Sequence, residues 1–240
     1  MSYTGRKGIL FYPFGRFGKR FCRTGKLSRG VMTFRRDINS LSIQPTYLSG
    51  KRIRLRPLDV DDYEDWYRVR LRCHDWLLPW EPRPAGSPYM AEDRLTFVTR
   101  CSIRDRERQI GTGYSFGIFV GDRFSGEINL SSVQRGAYQN GYVGYWIDKE
   151  LAGNGYVPEA CAVLFQYAFE ELCLHRLQIA IVPRNTPSRQ VVRKLGLRQE
   201  GVAVRYLEID GVWEDHVRYA ITGEEWWEKR EEYVKNWLQA

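Results

Sequence analysis

The chain has 240 residues, 43% of them hydrophobic and 14% aromatic, which is enough apolar material to fill one sizeable core. No stretch approaches 18 consecutive apolar residues, and the apolar run near the start is broken by glycine and proline, so neither a membrane span nor a secretory signal is expected. Five cysteines without CxxC spacing and three histidines without an HExxH pattern predict reduced thiols, no bound metal and a cytoplasmic protein.

The positive charge is concentrated at one end of the chain. The net charge is +8, yet the first 36 residues hold ten lysines or arginines and no acid, so the rest of the chain is close to neutral. Aromatic residues interleaved with these basic ones suit stacking on bases and pairing with phosphates, which suggests RNA or ribosome contact. A solvated tail, an organelle-targeting segment and sequence upstream of a true start at Met32 remain open. We assign 1–49 to a basic, flexible N-terminal extension and 50–240 to one folded domain.

The folded part begins with a strand and a helix. Residues 51–58 alternate charged and apolar side chains, which predicts a half-buried strand. Asp59 is a typical N-cap, and the helix that follows has acids in its first turn, arginines in its last, and Trp66 and Leu71 on its apolar face.

A connection rich in proline and tryptophan leads to a second helix near 88–108. Two strands then form a hairpin that turns at Gly121 and Asp122, and residues 138–148 add another strand.

The C-terminal half also contains both helices and strands. A long helix follows Gly155, and its apolar residues lie on one stripe, so it is expected to pack on a sheet. A strand, a short helix ending at Gly196 and a hairpin turning at Asp210 follow. The chain closes with an amphipathic helix whose apolar face is predicted to carry Trp227, Val234 and Leu238. The pattern predicts one α/β domain on a mixed sheet.

The turn before the long helix has the composition of an anion site. Gly153, Asn154 and Gly155 directly precede the helix, whose first N–H groups have no intrahelical acceptor and lie at the positive end of its dipole. Glycine allows a phosphate oxygen to approach the backbone closely. The turn lacks the GKS or GKT of a P-loop and the GxGxxG of a dinucleotide fold, and taken alone it is equally consistent with a structural role.

The ordered motifs GYWIDKELAGNGYVPEA and NTPSRQVVRKLGL, between Gly144 and Leu197, resemble the GNAT superfamily of acyl-CoA-dependent N-acetyltransferases. The resemblance is closest to the branch that acetylates the N-termini of ribosomal proteins, and it covers roughly residues 51–222. It implies a mixed, largely antiparallel sheet of six to seven strands flanked by helices.

The resemblance also implies acetyl-CoA as acyl donor. The turn amides would hold its pyrophosphate, a strand that splays from its neighbour would face the pantetheine arm, and the start of the short helix would contact the cofactor. These positions are Tyr145, Trp146, Ile147, Gly153, Asn154, Gly155, Tyr156, Val157, Asn185 and Ser188.

Three positions depart from the superfamily pattern. Ala152 stands where arginine or glutamine is usual, so one phosphate-ordering side chain is missing. Val157 replaces a small residue, and Pro158 after it contributes no N–H, although proline suits a first helical turn. Val192 stands where many members have a tyrosine general acid.

Acetyl transfer to nitrogen requires a neutral amine that attacks the thioester directly. By resemblance, Ser188 lies near the sulfur and can supply a proton to the departing thiolate, although it is equally consistent with a helix-start residue. Glu127 is the candidate base, acting through water, with a solvent-facing strand residue as the alternative. Asp215 is expected to contact the acceptor amine or to pair with Arg218.

The weak signal for a base favours an acceptor that is already partly neutral. An α-amine of pKa near 7.8 is roughly 15% neutral at pH 7, against about 0.04% for a lysine. The acceptor wall is expected in the connection after the first helix, where Trp76, Trp80 and Tyr89 offer apolar area, unless these rings fill the core instead.

Three functions remain open from sequence. The leading hypothesis is an N-terminal acetyltransferase acting on a ribosomal protein or peptide, with the basic extension contacting ribosomal RNA. The alternatives are an N-acetyltransferase for small amines such as polyamines or antibiotics, and a CoA-binding, ribosome-associated module without catalysis. The oligomeric state is open.

Overall fold

An eight-stranded sheet, antiparallel apart from one pair of strands, forms the centre of the protein. In this computed structural model the residues described are 46–82 and 93–238. The strands are β1 Leu48–Ser49, β2 Ile53–Arg56, β3 Tyr114–Val120, β4 Arg123–Gln134, β5 Asn140–Ile147, β6 Arg176–Ile181, β7 Arg198–Ile209 and β8 Val212–Thr222. They lie side by side in the order β1-β2-β3-β4-β5-β6-β8-β7. The mixed, largely antiparallel sheet is confirmed, and the strand beyond the expected number is the two-residue β1, which falls within the segment assigned to the extension.

Six α-helices flank the sheet among the described residues, and five of them correspond to predicted helices. The four-residue α2 was not expected from the sequence. The helices are α1 Tyr63–Arg72, α2 His74–Leu77, α3 Arg94–Ile110, α4 Tyr156–Gln166, α5 Thr186–Lys194 and α6 Gly223–Asn236. None of the described helices combines the length and apolar character that a membrane crossing requires.

The joint between β2 and α1 is fixed by acidic side chains, as the N-cap pattern predicts. Asp59 accepts a hydrogen bond from the Asp61 amide at 2.9 Å, and Asp62 accepts one from the Asp59 amide at 2.9 Å. The Asp62 carboxylate also pairs with the guanidinium of Arg56 at 2.6 Å. These contacts orient α1 relative to the sheet before its apolar residues pack.

Two hydrophobic clusters cover the two faces of the sheet. The larger one packs α4, α5 and α6 on one face, and the smaller packs α1 and α3 on the other. Helix α4 is buried on all sides from Val157 to Phe165, rather than along the single stripe expected. The reason is that α6 covers the side facing away from the sheet, where Phe165 contacts the ring of Tyr233.

The apolar faces of two helices differ from the sequence expectation by one or two positions. Leu71 is exposed on α1, whereas Val69 is buried beside Trp66. On α6, Trp227 is exposed, and Trp226 is buried and stacked on Phe169 with ring centroids 5.8 Å apart. For α6 the helix start sets the phase, because Thr222 caps the Glu225 amide and thereby fixes which tryptophan points inward.

The second helix also begins later than predicted. Asp93 is the N-cap of α3, with its carboxylate accepting from the Thr96 amide at 2.7 Å, so helical residues start at Arg94. Residues 88–92 of the predicted helix lie outside the described residues. The helix ends where Gly111 adopts a left-handed conformation, with φ of 76°.

Candidate active site

One cleft of about 710 Å³ runs between the end of β5, the starts of α4 and α5, and the segment around α2. It brings together regions that are far apart in sequence. Its lining residues are Arg70, Asp75, Trp76, Leu77, Pro79, Trp80, Glu81, Pro82, Tyr145, Trp146, Ile147, Leu151, Ala152, Gly153, Gly155, Tyr156, Val157, Pro158, Asn185, Pro187, Ser188, Gln190, Val191 and Lys194. A cleft of this volume is large enough for a cofactor or a drug-sized ligand.

The glycine turn forms one end of the cleft. Gly153 and Gly155 both adopt left-handed backbone conformations, with φ of 84° and 83°, and Gly155 is the N-cap of α4. The Asn154 side chain donates to the carbonyls of Leu151 and Ala152 at 3.2 and 3.4 Å, which holds the turn together. Within the described part of the chain, the amides from Gly153 to Val157 have no hydrogen-bond acceptor. The turn therefore presents a set of open donors at the positive end of a helix.

A buried carboxylate anchors this turn to the sheet. Glu159, in the first turn of α4, is 1% exposed and accepts from the Arg52 and Ile53 amides at 2.5 and 3.2 Å. Its second oxygen pairs with Arg52 Nε at 2.8 Å, and Arg52 Nη1 donates to the Asn154 carbonyl at 3.0 Å. The start of α4 is therefore fixed by the strand β2 as well as by its own packing.

The sheet opens next to the turn. Strands β5 and β6 form the only parallel pair of the described sheet, and they pair at three positions, from Asn140 and Arg176 to Tyr142 and Gln178. Beyond that point β5 continues to Ile147, while β6 continues alongside β8. The edge of β5 that faces β6 is therefore without a strand partner over its last five residues, as expected for a splayed strand.

The start of α5 forms the opposite wall. Asn185 is its N-cap, and its side-chain oxygen accepts from the Ser188 amide at 3.1 Å. The Ser188 hydroxyl lies 2.9 Å from the hydroxyl of Tyr145 on β5. This contact joins the two elements that bound the opening of the sheet.

Comparison with known proteins identifies the family. Residues 52–198 match the family model described as acetyltransferase (GNAT) domain, which is more than half of the chain. The chain belongs to the GNAT acetyltransferase family. It is accordingly an acetyl-CoA-dependent N-acetyltransferase.

Three relatives show where this GNAT enzyme lies within the family. It is 36% identical to the probable N-acetyltransferase YjcK of Bacillus subtilis (strain 168), over 72% of this chain and 96% of that protein. It is 32% identical to the ribosomal protein uS5 alanine N-acetyltransferase of Escherichia coli (strain K12), over 63% of this chain and 77% of that protein. The structure of Mycobacterium smegmatis RimJ in complex with CoA-disulfide aligns with a TM-score of 0.73 at 32% identity, covering 80% of this chain and 92% of that chain.

The cleft of this GNAT enzyme suits a CoA thioester. Both left-handed glycines leave the backbone of the turn uncovered, and amides without acceptors at a helix start are the kind of donors that phosphate oxygens require. The unpaired edge of β5 offers further main-chain groups to an amide-bearing arm. Of the ten positions expected at the cofactor, nine line the cleft. The tenth, Asn154, instead stabilises the turn.

Glu127, expected as the base, does not line the cleft. It is 1% exposed on β4, where its carboxylate accepts from Trp66 Nε1 at 2.6 Å and pairs with Arg104 Nη1 at 2.5 Å. Burial opposes its ionisation, but the charges of Arg104 and Arg100 outweigh this and hold the pKa of Glu127 below its ordinary value. A carboxylate held in this way is a poor proton acceptor, which argues against Glu127 as the base. Its burial shows that the solvent-facing alternative is wrong.

Asp215 also has a different role from the one expected. It lies exposed on β8, outside the cleft, and its carboxylate accepts from the Arg205 amide at 2.8 Å across the β7–β8 hairpin. Arg218, its expected partner, instead donates to the side chain of Gln178. Asp215 thus supports an irregular position of β7, where Arg205 has a φ of 46°.

The expected acceptor wall is present in part. Trp76 and Trp80 both line the cleft, and the guanidinium of Arg184 lies 4.7 Å from the centroid of the Trp80 ring. Trp76 also packs against the smaller hydrophobic cluster, so it serves the core as well. Tyr89 lies outside the described residues.

Two carboxylates in the cleft were missed by the sequence reasoning. Asp75 and Glu81 are the acidic residues among its described lining. Asp75 contacts His74 Nδ1 at 2.8 Å, and Glu81 pairs with Arg70 Nη2 at 2.5 Å. Their position was available as a signal, because Asp75 directly precedes Trp76 and Glu81 directly follows Trp80.

Glu81 is held in place through its backbone. Its amide donates to the Leu78 carbonyl at 3.3 Å, and its carbonyl accepts from the Asp210 amide at 3.2 Å. Pro82, next in sequence, forms a bridge with Ile209 at the end of β7. The carboxylate is therefore presented to the cleft from a fixed main chain, and the Arg70 guanidinium beside it lies 5.4 Å from the Trp146 ring centroid.

Proposed function

We propose that this enzyme acetylates the N-terminal α-amine of a ribosomal protein, with acetyl-CoA as donor. The observation that carries the proposal is the continuity of the cleft, which joins the glycine turn to a mouth lined by tryptophans and carboxylates. Donor and acceptor can therefore meet in one continuous cleft.

The donor half of the proposal uses main-chain groups. The amides of Gly153, Gly155, Tyr156 and Val157 would hold the pyrophosphate, with Asn154 stabilising their turn. The exposed edge of β5 at Tyr145, Trp146 and Ile147 would face the pantetheine arm, and Asn185 would contact it from α5. Ala152 lines the cleft without a charge, so phosphate binding depends on backbone donors more than in family members with arginine there.

The acceptor half of the proposal rests on the state of the carboxylates. Both acidic residues of the described lining are engaged with basic side chains, Asp75 with His74 and Glu81 with Arg70. Carboxylates in these positions could accept hydrogen bonds from the ammonium form of an acceptor amine. An acceptor with a low pKa needs little help to become neutral, and an α-amine meets this condition while a lysine does not.

The reaction in this proposal is a direct displacement. The neutral amine nitrogen attacks the thioester carbonyl, the new C–N bond forms, and the C–S bond breaks with its electron pair on sulfur. The nitrogen loses one proton to solvent, and the CoA thiolate takes up one proton. Ser188, at the start of α5, would donate a hydrogen bond to the sulfur as negative charge develops there.

The ribosomal acceptor is supported by two of the relatives. The similar Escherichia coli protein is named for alanine acetylation of ribosomal protein uS5, and a structural neighbour is a RimJ protein. A tryptophan-lined mouth provides apolar contacts for the first residues of a polypeptide.

The test is release of CoA thiol from acetyl-CoA with matched acceptors. The panel contains short peptides that begin with alanine or serine, the same peptides blocked at the N-terminus but carrying an internal lysine, a polyamine and an aminoglycoside. The proposal predicts turnover of the free N-terminal peptides and at least 100-fold lower kcat/KM for the blocked ones. Equal or faster turnover of the polyamine or aminoglycoside would identify a small-amine acetyltransferase instead.

A further inference from the structure

A pair of hydroxyl groups joins two walls of the cleft. The Tyr145 hydroxyl, on β5, lies 2.9 Å from Ser188 Oγ on α5, where either oxygen can be the donor, and it also lies within donating distance of the Ser188 carbonyl oxygen at 3.3 Å. Both residues line the cleft. Tyr145, Tyr156 and Ser188 are the hydroxyl-bearing residues among its described lining, and the ring of Tyr156 packs against the guanidinium of Arg52.

The Tyr145 hydroxyl has one proton to donate, and Ser188 Oγ is the nearer of the two acceptors on Ser188. Burial raises the pKa of Tyr145 well above its ordinary value, so the phenol keeps its proton. A phenol is also the more acidic of the two hydroxyls and therefore the better donor. A serine hydroxyl has one proton and two lone pairs. If Ser188 Oγ accepts from Tyr145, its own proton is directed away from that tyrosine.

Among the α5 residues that line the cleft, Ser188 alone carries a hydroxyl. Val192, one turn after Ser188, is completely buried in the larger hydrophobic cluster and has no proton to donate. The Ser188 amide is already used by Asn185, which fixes the first turn of α5 and the position of the Ser188 side chain. A hydrogen bond from Tyr145 to Ser188 Oγ would then determine the direction of the Ser188 hydroxyl proton.

We propose that Tyr145 is a positioning residue, whose hydroxyl donates to Ser188 Oγ and thereby orients the Ser188 proton towards the thioester sulfur. The inference rests on the proposed role of Ser188 in acetyl transfer. No proton leaves Tyr145 in this step: Ser188 donates a hydrogen bond while the C–S bond breaks, and the sulfur then takes its proton from solvent.

The test compares Tyr145→Phe with a matched control in the full-length enzyme. Tyr145→Phe removes only the hydroxyl and keeps the ring. Tyr114→Phe makes the same change at a buried tyrosine of β3 that does not line the cleft. We expect kcat of Tyr145→Phe to fall about 10-fold with KM for acetyl-CoA within twofold of wild type, and kcat of Tyr114→Phe to stay within twofold. An unchanged kcat of Tyr145→Phe, or a rise in its KM without a fall in kcat, would overturn the proposal.

A double variant tests whether Tyr145 acts through Ser188. Because both hydroxyls belong to one chain of hydrogen bonds, Ser188→Ala combined with Tyr145→Phe should be no slower than Ser188→Ala alone. If the double variant instead shows the product of the two single-variant losses in kcat, Tyr145 acts independently of Ser188 and the inference is refuted.

The assays use whichever amine of the acceptor panel the wild type turns over fastest. Since the sulfur leaves in every acetyl transfer, this choice separates failure of the inference from failure of the ribosomal assignment. The pH profile of kcat gives a second check. A loss of activity near pH 10 that disappears in Tyr145→Phe would mean that the phenol ionises during turnover, which the proposal excludes.

Discussion

Trp66 on α1 donates a 2.6 Å hydrogen bond from its indole nitrogen to the buried carboxylate of Glu127 on β4. Two arginines of α3, Arg100 and Arg104, complete the surroundings of this carboxylate at 3.4 and 2.5 Å. The group therefore links the two helices of one face to the sheet. These contacts indicate a structural role for Glu127.

Glu127→Gln should lower the free energy of unfolding and leave the rate of acetyl transfer nearly unchanged. Breaking a buried ion pair from one side typically costs about 3–5 kcal/mol, and here it leaves two guanidinium groups without their carboxylate. Denaturant unfolding should show a loss of that order, while kcat of the folded fraction stays within twofold of wild type. A variant of unchanged stability whose kcat falls 100-fold would contradict this and restore Glu127 as a catalytic group.

The pH dependence of unfolding provides a second readout at Glu127. Its pKa is lowered in the folded protein, so its stabilising contribution is fully present above the ordinary carboxyl pKa of about 4.3 and is lost as the pH falls through the folded value. The wild-type free energy of unfolding should therefore decrease on acidification below that pH. The slope should be smaller in Glu127→Gln, whose amide does not titrate.

Gly155→Ala should weaken CoA binding through the backbone of the turn. A left-handed conformation costs an alanine roughly 1–2 kcal/mol, and the added Cβ would lie 3.3 Å from Arg52 Nη2. We expect about a 10-fold rise in Kd for CoA by calorimetry. Gly136→Ala is the matched control. Gly136 has a φ of 70°, a Cβ added there would meet no other atom within 4 Å, and the residue does not line the cleft. Equal effects of both variants on Kd would argue against the turn as the phosphate site.

Ala152→Arg should restore the cation that many family members carry at this position. A guanidinium beside the turn adds attraction for the pyrophosphate, so Kd for CoA should fall by about three- to tenfold. The gain should shrink as salt is raised from about 0.05 to 0.5 M, since screening weakens an exposed ion pair. Ala152→Gln adds bulk without charge and should show no such salt dependence. A salt-independent gain in both variants would point to packing instead.

Glu81→Gln should impair use of the acceptor and leave use of the donor intact. Loss of the carboxylate charge removes an attraction worth about 1 kcal/mol for an ammonium at a half-buried site, so KM for a peptide should rise roughly fivefold. KM for acetyl-CoA should not change. Asp65→Asn provides the control, since Asp65 on α1 pairs with Arg68 outside the cleft. A rise in KM for acetyl-CoA would place Glu81 in the donor half.

Deleting residues 1–36 should separate RNA association from catalysis. These residues lie outside the described structure and carry ten basic residues and no acidic ones. We expect unchanged turnover of peptide acceptors and loss of salt-sensitive RNA binding, measured by filter binding at several ionic strengths. Equal RNA binding by the deleted and intact proteins at low salt would refute a tethering role for the extension.

The features that sequence predicted correctly are local ones. The glycine turn is visible because Gly153 and Gly155 directly precede an apolar helix, and its left-handed backbone follows from the residue type. The β7–β8 hairpin is predictable for the same reason, from Asp210 and Gly211 between two alternating runs.

The features that sequence missed depend on long-range contacts. Glu127 reads as an ordinary strand residue, because its hydrogen-bond partner Trp66 lies 61 positions earlier and its ionic partners belong to α3. From sequence, Glu81 is part of a loop. In the structure its backbone is fixed by a hydrogen bond from Asp210, at a hairpin tip much later in the chain. Local patterns contain no information on these pairings.

The short parallel pairing of β5 and β6 has a mechanical consequence. Three residue pairs join the five strands from β1 to β5 to the other three strands of the sheet. A pantetheine amide bound along the open edge of β5 would add contacts beyond those three pairs. Donor binding should then slow hydrogen exchange of the exposed amides between Val143 and Ile147 and make the two groups of strands unfold together.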